Sequence, residues 1–194
     1  MEDIKYKIGF FGESRAGKKK IINQFVEGTI FDKESSFTDL STYEKCVTID
    51  NDIDILLQMW DSAGQEKYRC LTKQQFHGFN GILLVYDPNI RETFDKIDYW
   101  CDTIKDNIDI ESVVVFLIEN NQSKNKVNNM CTKEEGEKLA NKLGFHFYSV
   151  NSYNGMNIEQ CFHHLAKKLY EKHKKKERIN VGKKNLHNLY CLIF

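Results

Sequence analysis

Two uninterrupted apolar runs, Gly81–Tyr86 (GILLVY) and Val113–Ile118 (VVVFLI), do most to limit the folds open to this chain. A strand with one wet face alternates polar and apolar residues. A run of six without a polar break reads as a strand covered on both faces, as in the middle of a parallel sheet. Parallel neighbours need crossover connections, and helical periodicity stands where the crossovers must be, at Arg91–Ile104 and Thr132–Leu143. Ile4–Phe11 and Phe145–Val150 read as further strands, and Lys18–Val26 as a helix after the first. Tyr43–Ile49 and Ile53–Trp60 are strand-like and joined by the turn Asp50-Asn51-Asp52, after a polar connection at Phe31–Ser41. Thr132, three residues before Glu135, predicts a capping box, and a last helix runs from Asn157 to about Lys176. The expectation is one α/β domain over residues 1–176, a six-stranded mostly parallel sheet flanked by about five helices, followed by a basic tail at 177–194.

The 194 residues suit one domain, and the 41% hydrophobic content excludes wholesale disorder. A formal net charge of zero hides a division: Lys167–Lys184 hold nine Lys/Arg and two Glu, so the first 166 residues are net acidic. An acidic body argues against a nucleic-acid grip, while the basic tail suits an anionic surface. The six cysteines lie far apart without a CxxC pair, unlike a zinc site or a disulfide framework. The acidic start excludes an ordinary signal peptide, and no run approaches a membrane span, so a cytosolic protein is expected.

In open α/β sheets ligands bind beyond the carboxyl ends of the strands. After the first strand stands Gly12-Glu13-Ser14-Arg15-Ala16-Gly17-Lys18-Lys19, which matches the phosphate-binding pattern GxxxxGK between a strand and a helix. In such a loop the backbone N–H groups of Glu13 through Lys19 and the helix N-terminus surround a phosphate, and Lys18 neutralises it. The next position calls for Ser or Thr, whose hydroxyl ligates Mg2+. Lys19 stands there, and an ammonium has no lone pair for a metal.

After the third strand comes Trp60-Asp61-Ser62-Ala63-Gly64-Gln65-Glu66, and the form DxAGQE lies 43 residues beyond Lys18. With it the chain resembles the Ras-like small GTPases, the Rab branch most closely. Gln75-Phe76-His77-Gly78 is similar to the Rab YYRG segment, Tyr86-Asp87 with Arg91-Glu92-Thr93-Phe94 to YD followed by ESF, and Asn157-Ile158-Glu159-Gln160 to NVEQ. The resemblance spans about residues 5 to 175. It implies bound GTP or GDP with Mg2+, the metal weakened by Lys19. It also implies that Asp61 reaches the metal through water, that Gly64 N–H senses the γ-phosphate and that Gln65 orients the attacking water. Thr38 takes the place of the metal-ligating switch threonine, with Thr42 as an alternative.

The resemblance is thinner at the base end. Counted without a gap, Glu119-Asn120-Asn121-Gln122 takes the place of NKxD, making Asn120 and Gln122 the base contacts. A shift of one residue puts Asn120 in the Asn place and Asn121 and Ser123 in the Lys and Asp places. Asn151-Ser152-Tyr153 stands for SAK, with Ser152 N–H offered to the guanine oxygen and Tyr153 either stacked on the base or simply on the surface. Tyr43, Trp60 and Gln75 correspond to the aromatic effector triad, two of them aromatic. Cys191-Leu192-Ile193-Phe194 is a CaaX-type ending, which implies prenylation of Cys191 beside a polybasic stretch.

The implied function is a monomeric Rab-like GTP/GDP switch on the cytoplasmic face of intracellular membranes. It would act in vesicle traffic and meet effectors, exchange factors and GTPase-activating proteins, with slow hydrolysis. The rival is a pseudo-GTPase that keeps fold and anchor without a nucleotide cycle, favoured by Arg15, Lys19, Glu119, Asn120 and Gln122. A third reading is a switch with relaxed base preference.

Overall fold

The computed structural model describes residues 4–28, 42–50, 52–61, 76–123 and 130–190, with side chains as far as residue 179. In chain order the elements are β1 (Ile4–Phe11), α1 (Lys18–Glu27), β2 (Thr42–Ile49), β3 (Ile53–Asp61), β4 (Gly81–Tyr86), α2 (Arg91–Asp95) and α3 (Ile97–Asn107). A 3-10 turn (Ile110–Ser112), β5 (Val114–Asn121), α4 (Lys133–Leu143), β6 (His146–Asn151) and α5 (Ile158–Tyr190) follow. The six strands form one sheet in the order β2-β3-β1-β4-β5-β6. The hairpin pair β2–β3 is antiparallel and every other pairing is parallel.

Both continuous apolar runs are central strands, and all six residues of β4 are buried. Alternate residues feed two cores, one on each side of the sheet. On one side Phe10, Leu83, Val85 and Phe116 meet Phe25 of α1 and Phe162 of α5, whose rings stack at 3.7 Å between centroids. On the other, Phe11, Ile82, Leu84 and Leu117 meet Trp100, Cys101 and Ile104 of α3 and Ala140 of α4. Each such aliphatic or aromatic side chain contributes about 1.5–3 kcal/mol on burial, which makes the sheet a rigid platform for the loops at its edge.

Three boundaries differ from the sequence pattern. β5 continues past Ile118 to Asn121, because the ladder with β6 pairs Glu119 with Ser149 and Asn120 with Val150, and their polar side chains find partners inside the protein. The helical segment after β4 divides at Lys96 into α2 and α3 and runs on to Asn107. α5 extends to Tyr190, so residues 177–190, expected as a tail, are helical. That stretch lacks proline and lacks an apolar stripe, so periodicity leaves no trace of the helix. The capping box at Thr132 forms as the sequence predicts, Thr132 N–H donating to Glu135 Oε2 at 2.7 Å and Glu135 N–H to Thr132 Oγ1 at 3.3 Å. Among the described residues no helix is long and apolar enough to cross a membrane.

Candidate functional site

The loops after β1, β4, β5 and β6 converge at one edge of the sheet. The loop after β1 leaves the strand at Gly12 (φ +130), where a Cβ would lie 2.2 Å from Val85 O of β4. Glycine alone lets the chain turn that close to the neighbouring strand. Arg15 sits in the left-handed region (φ 68), which costs a side-chained residue about 1–2 kcal/mol. Gly17 is also left-handed (φ 82) and is the N-cap of α1; no side-chain cap is present there among the described residues. The first turn of a helix so placed is an anion site by virtue of its amides and dipole.

Lys18 is buried, and its Nζ donates to Gly12 O at 2.7 Å and Glu13 O at 3.0 Å, so the loop closes around the ammonium. Ala16 is fully buried beneath the loop, whereas Ser14 and Arg15 face solvent. Glu13 Oε1 accepts from Trp100 Nε1 at 3.3 Å, which ties the loop to α3. Lys19 is half-buried in the first turn of α1.

The loop after β5 reaches back to this one. Asn120 is fully buried, and its Nδ2 donates to Ala16 O at 2.9 Å and Gly17 O at 3.4 Å. Its Oδ1 accepts the N–H of Ser152 at 3.2 Å. One amide therefore joins the loops after β1, β5 and β6. In the register shifted by one residue, Asn120 takes the Asn place of the motif. The Asn120 side chain spans these loops from inside the protein.

Gln122 also reaches the phosphate loop. Its Nε2 donates to Arg15 O and to Asp87 Oδ2, both at 2.7 Å, so the side chain lies on the phosphate loop. Ser152 N–H, expected at the guanine oxygen, is taken by Asn120 Oδ1 and Asn121 O because the residue folds inward and is buried. Half-buried Tyr153 has its own N–H on Asn151 Oδ1 at 2.8 Å. In the shifted register Ser123 stands where the motif has its acid; its N–H donates to Asn121 Oδ1 and its carbonyl accepts from Asn151 Nδ2.

Glu119 sits one step back in β5, buried, accepting from Tyr86 Oη at 3.1 Å and Ser149 Oγ at 2.7 Å. Burial and this carboxylate push the Tyr86 phenol far above its ordinary value, so Tyr86 stays a donor. Asp87, matched in the sequence only as part of Tyr86-Asp87 and given no site role there, is a buried carboxylate that accepts from Gln122 and, through Oδ1, from Asn89 N and Nδ2. Its signal was its place, directly beyond the end of β4 at the ligand edge.

Asp61 closes β3, buried and beside Phe10 of β1 in the ladder. Tyr43 pairs with Met59 and Trp60 with Thr42, so the two aromatics alternate to opposite faces of the hairpin. Tyr43 packs against the α1–α5 core, and Lys7 Nζ lies 4.3 Å from the Trp60 ring centroid. Thr38, Gly64, Gln65, Gln75 and Cys191 lie outside the described residues.

The model of the Ras family matches residues 7–171. The chain belongs to the Ras family. Within it this Rab-like GTPase is 30% identical over 168 residues to Ras-related protein Rab2BV of Beta vulgaris, which covers 87% of the chain and 77% of that protein. It is 32% identical over 177 residues to Ras-related protein SEC4 of Saccharomyces cerevisiae, covering 91% and 80%. Against Ras-related protein RABA2c of Arabidopsis thaliana it is 32% identical over 168 residues, covering 87% and 76%.

Members of this family bind GTP and GDP together with Mg2+. The phosphate end of this Rab-like chain fits that ligand: a left-handed Gly17, a helix start without a side-chain cap, and a fixed Lys18. The metal fits poorly. At position 19 the Lys19 ammonium offers only donors, where a metal needs a lone pair. At the base end the buried carboxylate of Asp87 is already engaged by Gln122 and Asn89.

Proposed function

We propose that this protein is a GTP/GDP-binding switch in vesicle traffic, slow in hydrolysis and anchored to the cytoplasmic face of an intracellular membrane. The observation that carries the reading is Asn120, whose side chain locks the phosphate loop to the two loops that would face the base. A chain that used this edge for packing alone has no need of a fully buried amide shared among three loops.

In this reading the amides at the start of α1 and the Lys18 ammonium hold the phosphates, and Thr38 and Gly64 respond to the γ-phosphate. Gln65 orients the attacking water. Alone it does little, since the large acceleration in such sites comes from an arginine supplied from outside. Bound nucleotide itself supplies the cleavable phosphoanhydride. Cys191 carries a prenyl group, and Lys172, Lys174, Lys175, Lys176, Arg178, Lys183 and Lys184 add the electrostatic half of a two-signal anchor. The switch surface meets effectors, exchange factors and GTPase-activating proteins, and the protein works as a monomer without nucleic acid.

A pseudo-GTPase is the second reading, supported by Gln122 lying on the phosphate loop and by Lys19 in the metal-ligand place. Denaturing the purified full-length protein and identifying the released nucleotide by chromatography separates the two. Near one equivalent of guanine nucleotide is expected. An empty protein that gains no thermal stability from GTP and Mg2+ would leave the scaffold reading standing.

A further inference from the structure

We propose that the base end of this site reads 6-oxopurine nucleotides as a class, with Gln122 Oε1 as acceptor and the Ser152 hydroxyl as donor, and does not tell guanine from hypoxanthine. The inference rests on the nucleotide-site reading above and names the bases that site accepts.

The first observation is the Gln122 amide. Its Nε2 donates to Arg15 O and to Asp87 Oδ2, both at 2.7 Å, which uses the two N–H groups an amide nitrogen has. Held from two sides, the amide has a fixed plane, and among the described residues its Oε1 takes no hydrogen bond. A Cβ on Gly17 would lie 2.7 Å from that oxygen and 2.3 Å from Asn120 Nδ2, so Oε1 borders the start of α1 beside the side chain that joins the three loops. Its support is fixed in turn, since Asp87 is buried and its Oδ1 accepts from Asn89 N and Nδ2. Donation to a carboxylate polarises the amide and strengthens its oxygen as an acceptor.

The second is Ser152. The residue is 4% exposed, and its Oγ is buried without a hydrogen-bond partner. Its N–H is already taken by Asn120 Oδ1 and Asn121 O, so the hydroxyl is the polar group it has left to offer. A buried hydroxyl without a partner is costly and uncommon, and a ligand at this edge would supply the partner.

The third is the chemistry of the base edge. Guanine and hypoxanthine both present an O6 acceptor beside an N1–H donor, and guanine adds a 2-amine. A carboxylate has two oxygens and can meet N1–H and the amine together. In either register a neutral residue, Gln122 or Ser123, stands in the acid place, and both oxygens of nearby Asp87 are engaged. A single amide oxygen accepts from N1–H, the Ser152 hydroxyl donates to O6, and the 2-amine goes unread. Adenine reverses this edge and sets its N1 lone pair against Oε1, a mismatch that a polar site rejects.

The test is calorimetric titration of the nucleotide-free full-length protein, in Mg2+, with GDP, IDP and ADP. Kd values for GDP and IDP within about tenfold of each other are expected, with ADP weaker by about tenfold or more. GDP tighter than IDP by about tenfold or more overturns the proposal, as does ADP binding as tightly as GDP, and both leave a nucleotide switch standing. Absence of binding by all three overturns the switch reading itself. Gln122→Met, with its fold checked by circular dichroism, keeps the length of the side chain and removes the acceptor. Losing the clamp on Arg15 O weakens every nucleotide alike, so the readout is the ratio of ADP to GDP Kd, which is expected to fall to within about threefold of one. A folded Gln122→Met protein that keeps the parent ratio, or that binds no nucleotide, also overturns the proposal, because the residue then serves the phosphate loop and not the base.

Discussion

The phosphate loop and the base-facing loops lie at the same edge of one sheet, yet they depart from their family pattern in opposite ways. After β1 the backbone keeps its form, with left-handed Arg15 and Gly17 around a fixed Lys18, while the side chains have gained charge. After β5 and β6 the side chains have lost charge. Asn120 ties the loops, Gln122 has folded back onto Arg15, and in either register, ungapped or shifted by one, a neutral residue, Gln122 or Ser123, stands in the place of the acid. The difference shows where the binding energy of such a site resides. Phosphate recognition rests on backbone amides and net charge, which tolerate substitution. Base discrimination rests on one charge-assisted acceptor, which does not.

The variant that should break both regions together is Gly17→Ala. Its methyl would enter a left-handed position 2.3 Å from Asn120 Nδ2 and 2.6 Å from Gln122 Cδ. A loss of about 2–4 kcal/mol in urea unfolding is expected, with nucleotide binding abolished in titration. Asn120→Ala comes next. It removes the buried amide from the Ala16 carbonyl and leaves Ser152 N–H with Asn121 O alone, for about 1–3 kcal/mol in the same unfolding experiment. If the two loops were independent, Asn120→Ala would leave GDP affinity unchanged.

Ser123→Asp sharpens the contrast at the base end alone. Competition between GTP and ATP should shift toward guanine by about tenfold or more, since each charge-assisted bond is worth about 1.5–3 kcal/mol. Phosphate binding measured with inorganic pyrophosphate should not move.

The smallest effect is in pH. Behind the base loops His146 of β6 and His164 of α5 lie with ring centroids 5.4 Å apart, and Tyr148 Oη is 3.0 Å from His164 Nδ1. Burial holds both imidazoles below their ordinary value, and each depresses or is depressed by nearby positive charge, Lys168 among it. The unfolded chain therefore takes up protons first. Stability is full above the unfolded value of about 6.5 and falls as pH drops through it toward the lower folded values. Hydrogen exchange at pH 5.5–7.5 (about one unit either side of that value) should show faster opening at Asn151–Tyr153 on acidification, with Gly12–Lys19 unaffected. Equal acceleration in both loops would remove the distinction.

Much of the architecture was legible because its signals are local. Six unbroken apolar residues in β4 admit no wet face, and the Thr132–Glu135 pair closes its capping box within one helical turn. The phosphate loop was legible for the same reason, since strand, GxxxxGK and helix are contiguous. Asn120 was not. Which of two adjacent asparagines faces Ala16 depends on how far β5 continues beyond Ile118, and that is decided by its ladder with β6 and by the hydroxyls of Tyr86 and Ser149 donating to the buried Glu119 carboxylate. Asp87 and the full length of α5 escaped similarly, the first because its partner is 35 residues away and the second because a polar helix has no stripe.

The sequence by itself therefore determined the sheet, the phosphate loop and the family, since each is written in contiguous periodicity and spacing. The tertiary structure decided which side chains hold the loops after β5 and β6 to the phosphate loop, because buried hydrogen-bond groups choose their partners across the sheet, not along the chain.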